Sequence, residues 1–234
     1  MARGATGKAD LFLLGKFRVG DPRNPCWLPL PAQRLVAFLA VHPGPQRREQ
    51  VAEILWPGRP SGIARVNLRQ AIYGERHSGC ELIQVAHNEL WLTSDVTVDL
   101  HRGTGIAHRL LRSKDAADNL DLDQSDLLED LLPHWGEEWL EQENARFHSL
   151  RVHALEVVGE RHLECGRWAA AIQASMLAVA ADPLREHPRL LLIRALVGEG
   201  NRAAARREYG AYRQLLRREL GDLPSPDLWN LINF

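Results

Sequence analysis

Gly166 and Gly200 stand 34 residues apart, and so do Ala171 and Ala205. Self-similarity at this period is the signature of the tetratricopeptide helix-turn-helix repeat, whose small residues let paired helices approach closely. In the first copy Gly159, Ala171, Ala178 and Pro183 fall at the small-residue and closing-proline positions. In the second, Ala205 matches, Tyr209 and Tyr212 take packing positions, and Arg217 replaces the proline. Gly166 and Ala171 are expected at tight helix contacts. The chain reads as helical from Glu141 almost to its end. Two copies are fewer than the roughly three an independent solenoid needs. A helix around residues 135–140 and a last one starting at Ser225-Pro226-Asp227-Leu228 are therefore expected to cap the stack.

The first hundred residues follow a different pattern. Residues 11–19 and 26–30 read as strands around Gly20-Asp21-Pro22-Arg23-Asn24-Pro25, which is strong turn chemistry. Helices are expected near 31–41, 47–56 and from 62 to 73 or 77, the last with Ser61 as N-cap. Residues 82–85 and 90–92 flank a hairpin tip at 86–89, and 96–100 reads as one more strand. Strands, three helices and a hairpin make a winged helix. The expected fold is thus an α+β N-terminal winged helix followed by an all-α tetratricopeptide-like helical repeat domain. The expected division is 1–100, a polar linker at 101–131, and 132–234. The linker's residues 118–126 superficially resemble an EF-hand loop, but they lack its turn glycine and interleave leucines. They read as an acidic linker with no calcium site.

Charge distribution separates the two parts. The chain's formal net charge is -1, yet residues 1–80 hold 12 Lys+Arg against 5 Asp+Glu, a balance of +7, leaving −8 for the rest. Such asymmetry suggests a nucleic-acid partner for the basic part. No apolar run approaches the ~20 residues that span a bilayer, and the first ten residues have no apolar core of a secretory signal. Cys26, Cys80 and Cys165 are far apart and odd in number, which argues against a disulfide framework or zinc ribbon and for a reducing cytoplasm. Phosphate-loop, His-Glu-x-x-His and Gly-x-Ser-x-Gly motifs are missing from the sequence, and the histidines are scattered. No enzyme activity, cofactor or metal is expected.

The third helix holds the candidate binding residues. At about 100° per residue, Ala64, Leu68, Ala71 and Ile72 share one face, with Val66, Arg69, Gln70, Tyr73 and His77 opposite. Arginine pairs with guanine and glutamine with adenine in a major groove, so this face reads as the base reader. Arg65 and Arg76 flank it as phosphate contacts. Gln46, Arg47 and Arg48 open the second helix, where backbone N–H groups and guanidiniums together suit phosphate. His87 and Asn88 at the hairpin tip are the wing residues, suited to a minor groove.

Several segments together resemble the OmpR-type winged-helix domain of the SARP antibiotic regulators. They are Leu14-Gly15-Lys16-Phe17-Arg18-Val19, Leu39-Ala40-Val41-His42-Pro43-Gly44, Leu55-Trp56-Pro57, Ala64-Arg65-Val66-Asn67-Leu68-Arg69-Gln70-Ala71, and Leu90-Trp91-Leu92 with Val98-Asp99. Asp182-Pro183-Leu184-Arg185-Glu186, Leu220-Gly221 and Pro224-Ser225-Pro226 are similar to that family's bacterial transcriptional activator domain. The resemblance implies a transcription activator that binds direct repeats upstream of promoters and contacts RNA polymerase holoenzyme. The implied partners are double-stranded DNA and the polymerase; a homodimer stays open, and no membrane partner is implied. The chain departs from the family after Ala71, where Ile72-Tyr73-Gly74-Glu75-Arg76-His77 replaces an arginine-rich run. Gly74 costs ~1 kcal/mol inside a helix and favours an early end to the reader. Glu75 falls on the apolar face and brings negative charge close to DNA. Both favour a second reading, an interaction module whose winged helix has lost DNA binding and that acts through its repeats.

Overall fold

The computed structural model describes residues 9–21, 24–112 and 125–233, so residues 118–124 of the EF-hand-like stretch lie outside the described residues. The chain divides into two compact units. One runs up to Arg102 and takes in Glu129–Phe147; the other holds Gly103–Leu128 and the chain from His148.

In the first unit, β1 (Ala9–Phe12), β2 (Arg18–Asp21), β3 (Asn24–Cys26) and β7 (Val96–Val98) form a sheet in the order β3-β2-β1-β7. The strand expected over 11–19 is in fact two. Gly15 sits at φ 75°, and Leu11 returns to pair antiparallel with Val19. Residues 26–30 are mostly not strand, because Leu30 opens α1 (Leu30–Val41) with Pro31 in its first turn. The apolar side of α1 is wider than a single stripe: every residue from Leu35 to Val41 is buried, which makes α1 the unit's central helix. The strand expected over 96–100 ends at Val98. There the buried Asp99 carboxylate accepts the amides of Leu13, Leu14 and Leu100, turning the chain into α4 (Asp99–Arg112).

Three short strands, β4 (Gln46–Arg47), β5 (Ile83–Ala86) and β6 (Glu89–Leu92), form a second sheet in the order β4-β6-β5. Between β4 and β5 come α2 (Arg48–Leu55) and α3 (Ser61–His77). Ser61 is the first helical residue rather than the N-cap, which is Pro60; its carbonyl accepts from Ile63 and Ala64. Nor does α3 end early. Gly74 lies within it because Pro29 packs there, a ring carbon 3.2 Å from where a Cβ would stand.

Cys26 and Cys80 form a disulfide with Cα atoms 6.2 Å apart, whereas Cys165 is free and exposed. The expectation of unpaired, distant cysteines is thereby corrected: 54 residues of sequence separate them, but the return of α3 onto the end of β3 brings them together.

Residues 135–140 do not cap the repeats. Leu131, Leu132, Leu140 and Phe147 share one core with Leu13, Leu35 and Leu39. Trp135 stacks on Phe17 and Trp139 meets Phe38 edge-on. The backbone joins in, as Leu132 donates to the Leu13 carbonyl and Gly15 to that of Asp130.

The second unit is helical. It contains α5 (Glu138–Glu164) from His148 onward, then α6 (Trp168–Ala181), α7 (Glu186–Gly198), α8 (Arg202–Glu219) and α9 (Pro226–Ile232). The 34-residue repeat is visible in the backbone. Gly166 and Gly200 both take positive φ, 67° and 88°. Just beyond them, Arg167 donates to His162 O and Asn201 to Leu196 O, each at 2.8 Å, the same left-handed helix closure. Ala171 and Ala205 are fully buried. A Cβ on Gly159 would stand 3.1 Å from Ser175 Oγ, so this glycine does mark a close helix approach. Gly166 does not: it is exposed, with nothing within 4 Å of a Cβ placed there. Its role is conformational. Tyr212 donates to Leu184 O at 3.0 Å, and burial pushes its phenol up to about 12. Leu228 and Ile232 of α9 close the core formed with α7 and α8.

Candidate nucleic-acid interface

The apolar stripe of α3 is buried at Ala64, Leu68, Ala71 and Ile72. The helix therefore turns Val66, Arg69, Gln70, Tyr73 and His77 outward, and all five are exposed. Tyr73 and His77 stack with ring centroids 3.7 Å apart, and His77 Nδ1 lies 3.0 Å from Tyr73 O.

Glu75 faces the other way. It is fully buried, and its carboxylate accepts the backbone amides of Leu82 and Ile83 at the start of the hairpin. Its place on the apolar face is as expected, but the expectation that it brings negative charge close to DNA is corrected, because the side chain is fully buried against the hairpin amides. Burial raises its pKa, outweighing the two amides and Arg76, which lower it.

The start of α2, the first half of α3 and the hairpin tip converge. Arg48, Arg65, Arg69 and Asn88 line one cleft of about 450 Å³, together with Glu49. Arg65 pairs with Glu49 at 2.9 Å, both exposed. Arg48 and Arg69 carry no ion pair among the described residues. The Arg48 amide donates to Asn88 O at 2.9 Å, so this first N–H of α2 ties helix to hairpin and is not open to an anion.

Arg47, His87 and Asn88 line a neighbouring cleft of about 480 Å³ with Trp91. His87 holds the hairpin turn at φ 52°, the left-handed conformation that Asn88 was the more suited to adopt. Gln46 commits its side-chain amide to His42 O at 3.2 Å. Arg76 and His77, at the far end of α3, are not among the residues lining either cleft.

Sequence reasoning missed Glu49 and Trp91. Trp91 pairs with Gln84 across β5 and β6, its indole donating to Gln84 Oε1 at 3.0 Å. Period-two alternation around the buried Leu90 was the available signal for an outward Trp91. Among the described residues no group of His, Cys, Asp and Glu places three metal ligands together, and no helix is long and apolar enough to cross a membrane.

Comparison with known proteins adds family to geometry. Residues 105–233 match the bacterial transcriptional activator domain. The chain belongs to the bacterial transcriptional activator domain family. The resemblance to SARP-type transcriptional regulators is borne out with it. The regulatory protein AfsR of Streptomyces griseus is 36% identical over 93 residues, 40% of this chain and 10% of AfsR. AfsR of Streptomyces coelicolor is 32% identical over 142 residues, 57% of this chain and 14% of its own length. The chain thus spans a small part of these relatives. Among solved structures, Mycobacterium tuberculosis EmbR in complex with a low affinity phosphopeptide superposes with a TM-score of 0.71 at 21% identity, covering 96% of this chain and 64% of EmbR. That likeness supports the fold: a winged helix followed by a helical repeat domain.

Proposed function

We propose that this SARP-type transcriptional regulator binds double-stranded DNA through its winged helix, without covalent chemistry, and contacts RNA polymerase through its helical repeats. In this reading α3 enters the major groove. Val66, Arg69, Gln70, Tyr73 and His77 face base edges, Arg47, Arg48, Arg65 and Arg76 face phosphates, and His87 and Asn88 reach a minor groove. The observation that carries the reading is the convergence of Arg48, Arg65, Arg69 and Asn88 on one open cleft. A reader helix and wing need donors gathered this way, here guanidiniums from α2 and α3 and an amide side chain from the hairpin. Binding to promoter repeats follows from the family resemblance.

The test is competition binding on cognate and scrambled duplexes at one salt concentration. A base-edge contact is worth about 1–3 kcal/mol of discrimination, whereas a phosphate contact is lost about equally on every sequence. Arg69→Ala should erase the preference for the cognate site and leave much of the non-specific binding. Arg48→Ala should lower both together. Wild type with no measurable affinity for either duplex would sink the DNA reading and favour the interaction module.

A further inference from the structure

Away from the clefts beside the hairpin, the first unit has another opening. Phe38 of α1, His42 just past its end, Glu53 and Ile54 of α2, and Glu138 and Trp139 of α5 line a cleft of about 430 Å³. Its aromatic wall is ordered by contact. Phe38 stacks on His42 with centroids 4.4 Å apart and meets Trp139 edge-on at 5.3 Å. Trp139 is fixed further by its indole N–H, which donates to Glu137 Oε2 at 3.1 Å. Glu53 and Glu138 are exposed at the mouth, and neither has an ion-pair partner among the described residues. Ile54 is also exposed, at 42%.

This chain twice builds the same group of parts around an arginine, once beside the cleft and once in the second unit. Arg34 donates to Glu137 at 2.7 Å while its guanidinium lies 5.9 Å from the Trp56 ring centre. Arg189 donates to Glu208 at 2.7 Å and lies 5.5 Å from the Tyr212 ring. In both, a carboxylate fixes the guanidinium and an aromatic face covers it, the arrangement that favours arginine over lysine. The cleft has the half-buried Trp139 ring and two carboxylates, and no arginine is among its lining residues.

We propose that this cleft is a docking site for an arginine side chain carried by a partner protein. The guanidinium lies against Trp139, which the buried Phe38 backs, its N–H groups reach Glu53 and Glu138, and its aliphatic stem covers Ile54. Charge complementarity and the open mouth select a side chain presented from outside. The inference is independent of DNA recognition, since none of these residues lines the clefts around α3 and the hairpin.

The test uses the full chain, labelled with 15N, and titrates acetyl-Gly-Arg-Gly-amide while following the Trp139 indole resonance, assigned with Trp139→Phe. The arginine peptide should shift that resonance saturably, and the citrulline peptide, a neutral isostere, should not. Glu53→Gln and Glu138→Gln, each on an exposed site, should weaken binding about threefold or more apiece, the scale of one exposed cationic contact. The wild-type response to a DNA duplex provides a separate measure of the proposed function. An equal shift from citrulline, no saturable shift, or unchanged affinity in both variants would overturn the proposal. Tighter binding of agmatine than of the peptide would also overturn it, by assigning the cleft to a free guanidine.

Discussion

The buried carboxylate of Glu75 accepts the backbone amide of Leu82 and so ties the last turn of α3 to the start of the hairpin. A second oxygen of the same carboxylate is buried without a hydrogen bond. Helix α3 and the hairpin are thereby held together by a carboxyl group taken out of water. Removing the acceptor in Glu75→Ala should leave buried amides unpaired at a cost of about 1–3 kcal/mol. Urea denaturation measures it, and an unchanged midpoint would show that the tie contributes nothing.

The same group makes stability depend on pH in a stated direction. Burial raises the folded-state pKa of Glu75 above its ordinary 4.5. Between those two values the native state holds the proton more tightly than the unfolded chain does. This contribution is fully present below 4.5 and is lost as pH rises through the folded-state pKa. Glu75→Gln keeps an oxygen for the Leu82 amide and cannot ionise. Its stability relative to wild type should therefore improve as pH rises through that window, as read by denaturation at a series of pH values. A constant difference would show that Glu75 does not titrate there.

Local patterns were legible in the sequence; long-range closure was not. The 34-residue spacing anticipated the helix-turn-helix repeat, but not that Gly166 serves it through a left-handed turn rather than a close contact. The outward face of α3 followed from helical periodicity alone. By contrast, Trp135 and Trp139 carry no sign in their neighbours that their partners are Phe17 and Phe38, far earlier in the chain. The pairing of Cys26 with Cys80 depends on where α3 returns. Glu75 sits on a correct apolar stripe, but its burial depends on the Leu82 amide, which no periodicity reveals. Gly74 looked like a helix cost when read alone, and it is a seat for Pro29.

That long-range closure bears on where a fragment carrying the winged helix can end. Truncation at residue 100 removes Leu131, Leu132, Leu140 and Phe147 from the core they share with Leu13 and Leu39. It also removes Glu137, which holds Arg34. Fully burying one such apolar side chain is worth about 1.5–3 kcal/mol, so four losses come to about 6–12 kcal/mol, as large as the whole margin of an ordinary domain, about 5–15 kcal/mol. A fragment of residues 1–100 should unfold or aggregate, whereas one ending at 147 should show a cooperative melt. A cooperative transition in the shorter fragment would show that the added segment is dispensable.

The disulfide offers a separate test of the first unit. Cys26 and Cys80 close a loop of 54 residues, for which chain entropy gives about 4 kcal/mol at most. Oxidised native protein should titrate a single thiol, Cys165, after unfolding. Reduction or Cys80→Ser should lower the stability of the first unit and leave the second unchanged. Three titratable thiols in protein purified without reductant would show that the pair is not bonded in solution.

The repeats allow conformation and packing to be separated at two nearby glycine and alanine positions. Gly166 has open space around it and a φ of 67°, so Gly166→Ala meets no neighbour and is strained only by its backbone. That costs roughly 1–2 kcal/mol for an L-residue, and asparagine, which tolerates the left-handed region, should recover part of it. Ala171 is fully buried, so Ala171→Glu both overpacks the helix contact and buries an unpaired charge. It should unfold the second unit outright, whereas Ala171→Gly should cost only about 1 kcal/mol through helix propensity. Ala205, its counterpart one period later and equally buried, should respond alike. Thermal melts of the Gly166 and Ala171 series decide the matter. A melt unchanged by Ala171→Glu would refute the repeat register. A Gly166→Asn variant no more stable than Gly166→Ala would show that the glycine acts through something other than its backbone angle.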